Sequence, residues 1–245
     1  MNQATVRALA AINAAFYRDH AAEFSARRTA PWPGWDRLAP ALRDTPGTGA
    51  VRVLDVGCGH GRFARWAAEA LAPRALALSG VDASEPLLEQ ARHTGPPGSA
   101  WQTGDVIAAP DALPSGPFDL VALLAVIHSV PSRERRLALL SACAARLAPA
   151  GRLVVTIWLR GESERAVDWN TYSSRADMPI DCTQLEPGDR LIPWGPGDRL
   201  VRYFHFFDES ELSSWAERLP LALDERFRAD SRTGDQNEYF VFRAR

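Results

Sequence analysis

The feature that most constrains this chain is the stretch Val53-Leu54-Asp55-Val56-Gly57-Cys58-Gly59-His60-Gly61-Arg62. An apolar run, Val51–Val56, stops at three alternating glycines, and Phe63–Leu71 then carries helical periodicity through Trp66 and Leu71. A strand that passes into a helix through glycines is the first turn of a βαβ unit. The glycines permit a tight turn and let backbone approach a ligand at the carboxyl edge of a sheet. A dinucleotide-binding turn would place another glycine at position 62, where a helix N-terminus meets pyrophosphate; here that residue is Arg62. Asp55, two residues before the first glycine, instead offers an acceptor for a ligand's ammonium group.

Beyond the turn, apolar runs alternate with helical stretches. Ala75–Val81 reads as a second strand, Glu85–Arg92 as a helix, Ala100–Thr103 as a short third strand and Phe118–Leu124 as a fourth. Arg133–Leu147 reads as a long helix and Arg152–Trp158 as a fifth strand. This alternation predicts a doubly wound α/β domain with a mostly parallel sheet. Residues 1–46 are helix-rich and broken by Pro31, Pro33, Pro40 and Pro46, which predicts a lid preceding a main domain over 47–245. The polar stretch 160–200 reads as an inserted loop, and Asp208–Leu219 as a helix with acidic residues in its first turn. Leu221–Phe227 and Tyr239–Phe242 supply a terminal antiparallel hairpin.

Composition excludes several classes. At 245 residues, one domain with an insertion is expected. No apolar run is long enough to span a membrane, and Asn13, Arg18, Asp19 and His20 break any signal-peptide core, so a cytoplasmic location is expected. Cys58, Cys143 and Cys182 are too dispersed for a disulfide framework or a zinc site, and no metal site is predicted. A net charge of −2 leaves no global basic footprint for nucleic acid, although all 28 basic residues are arginines, which suit carboxylate and phosphate.

Further acidic positions stand in order after successive strands: Gly80-Val81-Asp82, Gly104-Asp105-Val106, and Asp119 opening the fourth strand. With the glycine turn they resemble the class I S-adenosylmethionine (SAM)-dependent methyltransferases, whose Rossmann-like fold has a seven-stranded sheet. The resemblance implies SAM as cofactor. It implies contacts from Asp55, Gly57, Cys58, Gly59 and Gly61 of the turn, from Asp82 and Ala83 beside the ribose, and from Asp105 and Val106 beside the adenine. Leu124 would lie at the end of the fourth strand, and Trp32 would cover the cofactor.

A sharper resemblance rests on Arg28-Thr29-Ala30-Pro31-Trp32-Pro33, on Ala125 to Arg136 with His128 within it, on Ile192-Pro193-Trp194, on Val201-Arg202-Tyr203-Phe204-His205 and on Asn237. These stretches are similar to the tRNA wobble-uridine methyltransferases that esterify a carboxymethyl group. The resemblance implies that Arg28 and Arg202 grip the acceptor carboxylate and that His128 and His205 stand in the site. It also implies a small zinc-binding activator subunit, with Val106, Ile107, Ala108 and Ala109 as contacts. On a regular strand Arg202 and His205 would point to opposite faces, since side chains alternate. Several positions depart from the family: Ala30 replaces a lysine, Ser129 and Val130 replace His and Trp, and acidic Asp181, Glu186, Asp189 and Asp198 occupy a region often basic. These departures keep open a methyltransferase for a free small-molecule acid or hydroxyl, and a SAM-binding protein without catalysis.

Overall fold

The computed structural model describes residues 1–159, 166, 168–169, 180–195 and 200–244. The five expected parallel strands form as β1 (Val51–Val56), β2 (Leu76–Asp82), β3 (Ala100–Thr103), β4 (Phe118–Leu124) and β5 (Leu147–Trp158). With β8 (Leu221–Ala229) and β9 (Asn237–Ala244) they make a seven-stranded sheet in the order β3-β2-β1-β4-β5-β9-β8. Only β9 runs against its neighbours β5 and β8 within this sheet.

The apolar runs are continuous because both faces of the sheet are covered. Leu54 and Val56 point into one core with Val121, Leu123, Val155 and Phe240, under α6 (Arg133–Ala144) and α7 (Glu209–Arg218). Val51 and Val53 point into the other with Leu120, Val154 and Tyr239, under α4 (Arg62–Leu71). Each fully buried aliphatic side chain contributes about 1.5–3 kcal/mol. α5 (Glu85–Thr94) follows β2 and buries Leu87, Leu88 and Ala91.

One boundary moves. The helix expected to reach Leu147 ends at Ala144, and Leu147 opens β5 by pairing with Phe118. The Phe118 amide donates to Arg146 O at 2.8 Å, so the start of β4 claims this segment.

The N-terminal residues form α1 (Gln3–Asp19), α2 (Ala21–Ala26), a 3-10 turn at Pro33–Leu38 and α3 (Ala39–Arg43). Asn2 caps α1 by accepting from the Thr5 amide at 2.9 Å. Part of the stretch expected as a loop is strand: β6 (Asp189–Trp194) pairs antiparallel with β7 (Leu200–His205). Pro193 discourages a strand reading there, yet proline is tolerated on the edge of a two-stranded sheet. A third apolar cluster seats α1 on this small sheet through Ala8, Leu9, Leu191, Val201 and Tyr203. Much of 160–179, with 196–199, lies outside the described residues. No helix among the described residues is long and apolar enough to cross a membrane.

Candidate active site

Strand order reverses between β1 and β4, which opens a crevice at the carboxyl ends of the parallel strands. A cavity of about 510 Å³ occupies it. The glycine turn forms one wall. Gly57 has φ 71°, and a Cβ there would lie 2.3 Å from Val126 Cγ2, so only glycine fits. Gly57, Cys58 and Gly59 line the cavity; Gly61 stands behind them and starts α4 in a left-handed conformation. Burial pushes the Cys58 thiol well up, leaving it an unreactive, space-filling group.

Two carboxylates stand near the carboxyl ends of adjacent strands. Asp55 lines the cavity while only 2% exposed, and its Oδ2 has no hydrogen-bond partner. Burial, then the neighbouring Asp82 charge, raises its pKa to about 8. Asp82 accepts from the Gly59 amide and the Ser84 amide, each at 2.8 Å, and so ties the glycine turn to the loop after β2. Burial raises the Asp82 pKa too, against those backbone bonds. Ala83, Asp105, Val106 and Leu124 complete this half of the cavity. Asp105 is exposed and accepts from the Ile107 and Ala108 amides with Oδ1 alone, at 3.0 Å each. Asp119 lies at the other end of the sheet, where it binds the Arg52 backbone amide at 2.8 Å and pairs with its guanidinium. Val106 is buried in the cavity wall, Ile107 is half-buried, and Ala108 and Ala109 are exposed.

Part of the opposite wall comes from a helix that motif reading did not single out. Ala10, Asn13, Ala14 and Tyr17 of α1 line the cavity at helical spacing i, i+3, i+4, i+7, a signal present in the sequence. Asn13 Nδ2 donates to Tyr203 O at 3.0 Å, and its Oδ1 accepts from the Tyr203 amide at 2.8 Å. Ser84 Oγ donates to Tyr17 O at 3.0 Å, closing α1 onto the loop after β2. Phe24, Arg28, Trp32 and Arg62 continue the wall. The Arg62 guanidinium lies 4.8 Å from the Trp32 ring centroid, donates to Ala30 O at 3.0 Å, and has its pKa lowered to about 10, first by burial and then by Arg28.

Of the four acceptor-side residues, only Arg28 lines the cavity. Its guanidinium lies 3.9 Å from the Phe24 ring centroid and its pKa is lowered, first by burial and then by Arg202. Its carbonyl is 3.0 Å from Nε2 of His60, which ties it to the glycine turn. Arg202 sits one layer behind the wall, buried, between the rings of Phe16 and Phe204, with Nε unbonded. Among the described residues, no carboxylate stands in ion-pair reach of Arg28 or Arg202. His128 stacks on Phe204 at 4.5 Å and 16°, its Nδ1 unbonded, and burial drives its pKa down to about 3.

His205 is elsewhere. β7 is a regular strand, so Arg202 and Phe204 face the cavity side while His205 faces away. There His205 Nδ1 meets Asp189 at 2.8 Å and Nε2 meets Glu211 at 3.2 Å. Fully buried Arg136 spans Glu186 at 2.6 Å and Glu211 at 2.7 Å, and Tyr203 OH donates to Asp189 at 2.6 Å. Glu186, Asp189 and His205 bring ligand-type atoms within 4.8 Å of one another, but Arg136 and Tyr203 already engage them. The geometry makes this a structural joint, separate from the cavity.

A sequence profile described as a methyltransferase domain matches residues 15–225. The chain belongs to this methyltransferase family. The methyltransferase is 26% identical over 250 residues to the tRNA (carboxymethyluridine(34)-5-O)-methyltransferase alkbh8 of Xenopus tropicalis, with 83% of this chain covered. It spans only 36% of that relative's length, and 19% of the like-named protein of Mus musculus. It is 29% identical over 191 residues to a ubiquinone biosynthesis O-methyltransferase of Xylella fastidiosa, covering 77% of this chain and 68% of that protein. Among solved structures, magnesium protoporphyrin IX methyltransferase from Synechocystis, with bound S-adenosylhomocysteine (SAH), superposes with a TM-score of 0.63 at 15% identity, covering 96% and 99% of the two chains. The 1,6-didemethyltoxoflavin-N1-methyltransferase of Burkholderia thailandensis gives 0.65 at 15% identity, covering 100% and 92%. These likenesses show the class I methyltransferase fold, and the cofactor of the methyltransferase is SAM. Its cavity suits that molecule: Asp55 offers an unfilled, buried acceptor beside the glycine turn, which lines the cavity with Gly57 and Gly59.

Proposed function

We propose that this methyltransferase esterifies a carboxylate, and that its acceptor is the carboxymethyl arm of a wobble uridine in tRNA. The observation that carries the reading is the pair Arg28 and Arg202, two buried or half-buried guanidiniums near one another with no carboxylate among the described residues to balance them. Such a pair is costly until an anion joins it. The printed name of the Xenopus tropicalis relative supports the choice of anion.

Bound SAM supplies an electrophilic methyl group on a sulfonium. Asp55 and nearby carbonyls would receive its ammonium, Asp82 would take the ribose hydroxyls, and Asp105 and Val106 would hold the adenine. Arg28 grips the acceptor directly, and Arg202 adds its field from one layer behind. A carboxylate with a pKa near ~4 is already ionised at neutral pH, so no general base is required. His128, neutral above pH about 3, holds Phe204 and Arg202 in place by stacking rather than moving a proton. The α1 wall and Trp32 exclude water and fix the line of attack.

A second reading, a free small carboxylic acid, is favoured by α1, which encloses the cavity, and by the net charge of −2. Methyl transfer to wobble-modified tRNA and to a panel of free acids, followed by mild base, decides. The expected product is a base-labile ester on tRNA; a base-stable product overturns carboxylate methylation, and an ester formed only on a free acid moves the acceptor to the second reading. Arg28→Ala should lower kcat/KM for the acceptor at least about ten-fold, with partial recovery in Arg28→Lys, which keeps charge without the planar fork. Loss of SAM affinity instead would assign Arg28 to the donor's own carboxylate.

A further inference from the structure

The wall segment that carries Trp32 is held from a distance by one buried carboxylate. Asp230 sits in the turn between β8 and β9 at φ 74°, a conformation that costs a non-glycine residue about 1–3 kcal/mol and persists only where its surroundings over-determine it. It is 2% exposed and accepts three hydrogen bonds: from the Gly34 amide at 2.8 Å, from Asn237 Nδ2 at 2.7 Å and from Tyr239 OH at 2.6 Å. Asn237 and Tyr239 belong to the sheet; Gly34 belongs to the lid.

The approach is closely fitted. A Cβ at Gly34 would lie 2.7 Å from three atoms of Tyr239, so the lid backbone rests directly on that ring. Trp35, the next residue, is 1% exposed and packs edge-on against Phe63 at 5.3 Å. Trp32 lies 5.4 Å from Trp35, and Arg62 covers both rings at 4.8 and 5.1 Å. Trp32 and Arg62 line the cavity, whereas Asp230 and Tyr239 do not.

We propose that Asp230 is a positioning residue for the donor site: with Tyr239 and Asn237 it latches Gly34, and so holds Trp32 and Arg62 over bound SAM. The inference rests on the reading of this cavity as the donor site, and not on the identity of the acceptor. A charge-assisted bond donated by the Gly34 amide to a buried carboxylate rigidifies the lid against the sheet. Without it, the lid opens more often and SAM leaves faster, while the reacting groups stay where they are.

The test needs only SAM. Calorimetry and stopped-flow release would be measured for wild type, Asp230→Asn, Tyr239→Phe and Trp32→Ala, and for Asp230→Asn combined with Trp32→Ala. Asp230→Asn should raise the Kd for SAM roughly ten-fold through faster release, at unchanged stoichiometry, and Tyr239→Phe should raise it roughly three-fold. With the acceptor added, kcat at saturating SAM should stay within about two-fold, so the loss appears in KM. In the Trp32→Ala background the Asp230→Asn effect should shrink to below about two-fold, since the lid no longer covers the ligand. A purely structural role would lower melting temperature and the active fraction without this coupling. Unchanged SAM affinity in folded Asp230→Asn, or a full ten-fold loss that persists without Trp32, overturns the latch. If Asp230→Asn fails to fold, an unchanged Kd in Tyr239→Phe overturns it. Failure of the wild-type chain to bind SAM overturns the donor reading and the latch together, while a non-carboxylate acceptor leaves the latch standing.

Discussion

Asp55 stands one residue before the end of β1, near Asp82 and deep in the cavity, where burial and a like charge hold its pKa at about 8. At neutral pH the free site is therefore mostly protonated, and an arriving ammonium restores the carboxylate. The sign follows: below pH 8 binding must expel a proton, so SAM affinity should rise with pH by up to about ten-fold per unit and flatten above 8. Calorimetry in two buffers of different ionisation enthalpy at pH 6.5 should detect that proton. Asp55→Asn should lose both the proton release and the slope; a slope surviving in the variant assigns it to another group. Other residues at this scale were equally exposed to reading. Asp82, Gly57 and Asp105 announce themselves because each follows a strand, whereas Arg62 is notable in sequence only for not being glycine. Its contact with Trp32 joins residues thirty apart and depends on how the lid folds back.

Among the elements, α1 carries the most function for the least sequence signal. Its Asn13 reproduces a strand partner by bonding both backbone groups of Tyr203 in β7, and so joins the helical wall to the small sheet. Asn13→Ala leaves a buried amide and carbonyl unsatisfied and should cost about 1–3 kcal/mol in urea denaturation. The same variant should loosen the cavity wall and raise acceptor KM; wild-type stability and KM together would show that α1 is held by its apolar contacts alone. At β7 the period-2 rule, together with a regular strand, sends Arg202 toward the cavity and His205 into the joint with Asp189 and Glu211.

Across the whole molecule, that joint ties four regions: Glu186 and Asp189 of the insertion, Arg136 of α6, His205 of β7 and Glu211 of α7. Burial alone would lower the His205 pKa, but its bonds to Asp189 and Glu211 outweigh it and raise the pKa above the ordinary 6.5. A raised histidine contributes fully below pH 6.5, and the contribution is lost as pH climbs through the folded value. Asp55, protonated in the fold up to about 8, loses stability over the same climb. Glu211 works in the other direction: burial notwithstanding, His205 and Arg136 hold it at about 2, so its contribution is lost only as pH falls from 4.5 toward that value. His128, neutral in the fold down to about 3, likewise loses its contribution below 6.5 as the unfolded chain takes a proton. The melting temperature without SAM should therefore fall between pH 6.5 and 8. His205→Asn should flatten that fall, and saturating SAM should remove the share due to Asp55. A melting temperature constant over this window in the wild-type chain would contradict the assignment.

The sequence by itself determined the sheet, the glycine turn and the acids at the strand ends. Strand period, glycine turns and strand-end acids are local patterns, and β1, β3 and β4 begin and end where the apolar runs do. Only the tertiary structure decided the rest. β6 hides behind Pro193 because an edge strand is defined by its partner, and Leu147 joins β5 because Phe118 claims it. Arg28, Arg202 and His128 converge, and His205 departs, through contacts between elements far apart in the chain. The Asp230 latch could not be read at all, since its bond to Gly34 spans 196 residues and leaves no periodicity behind.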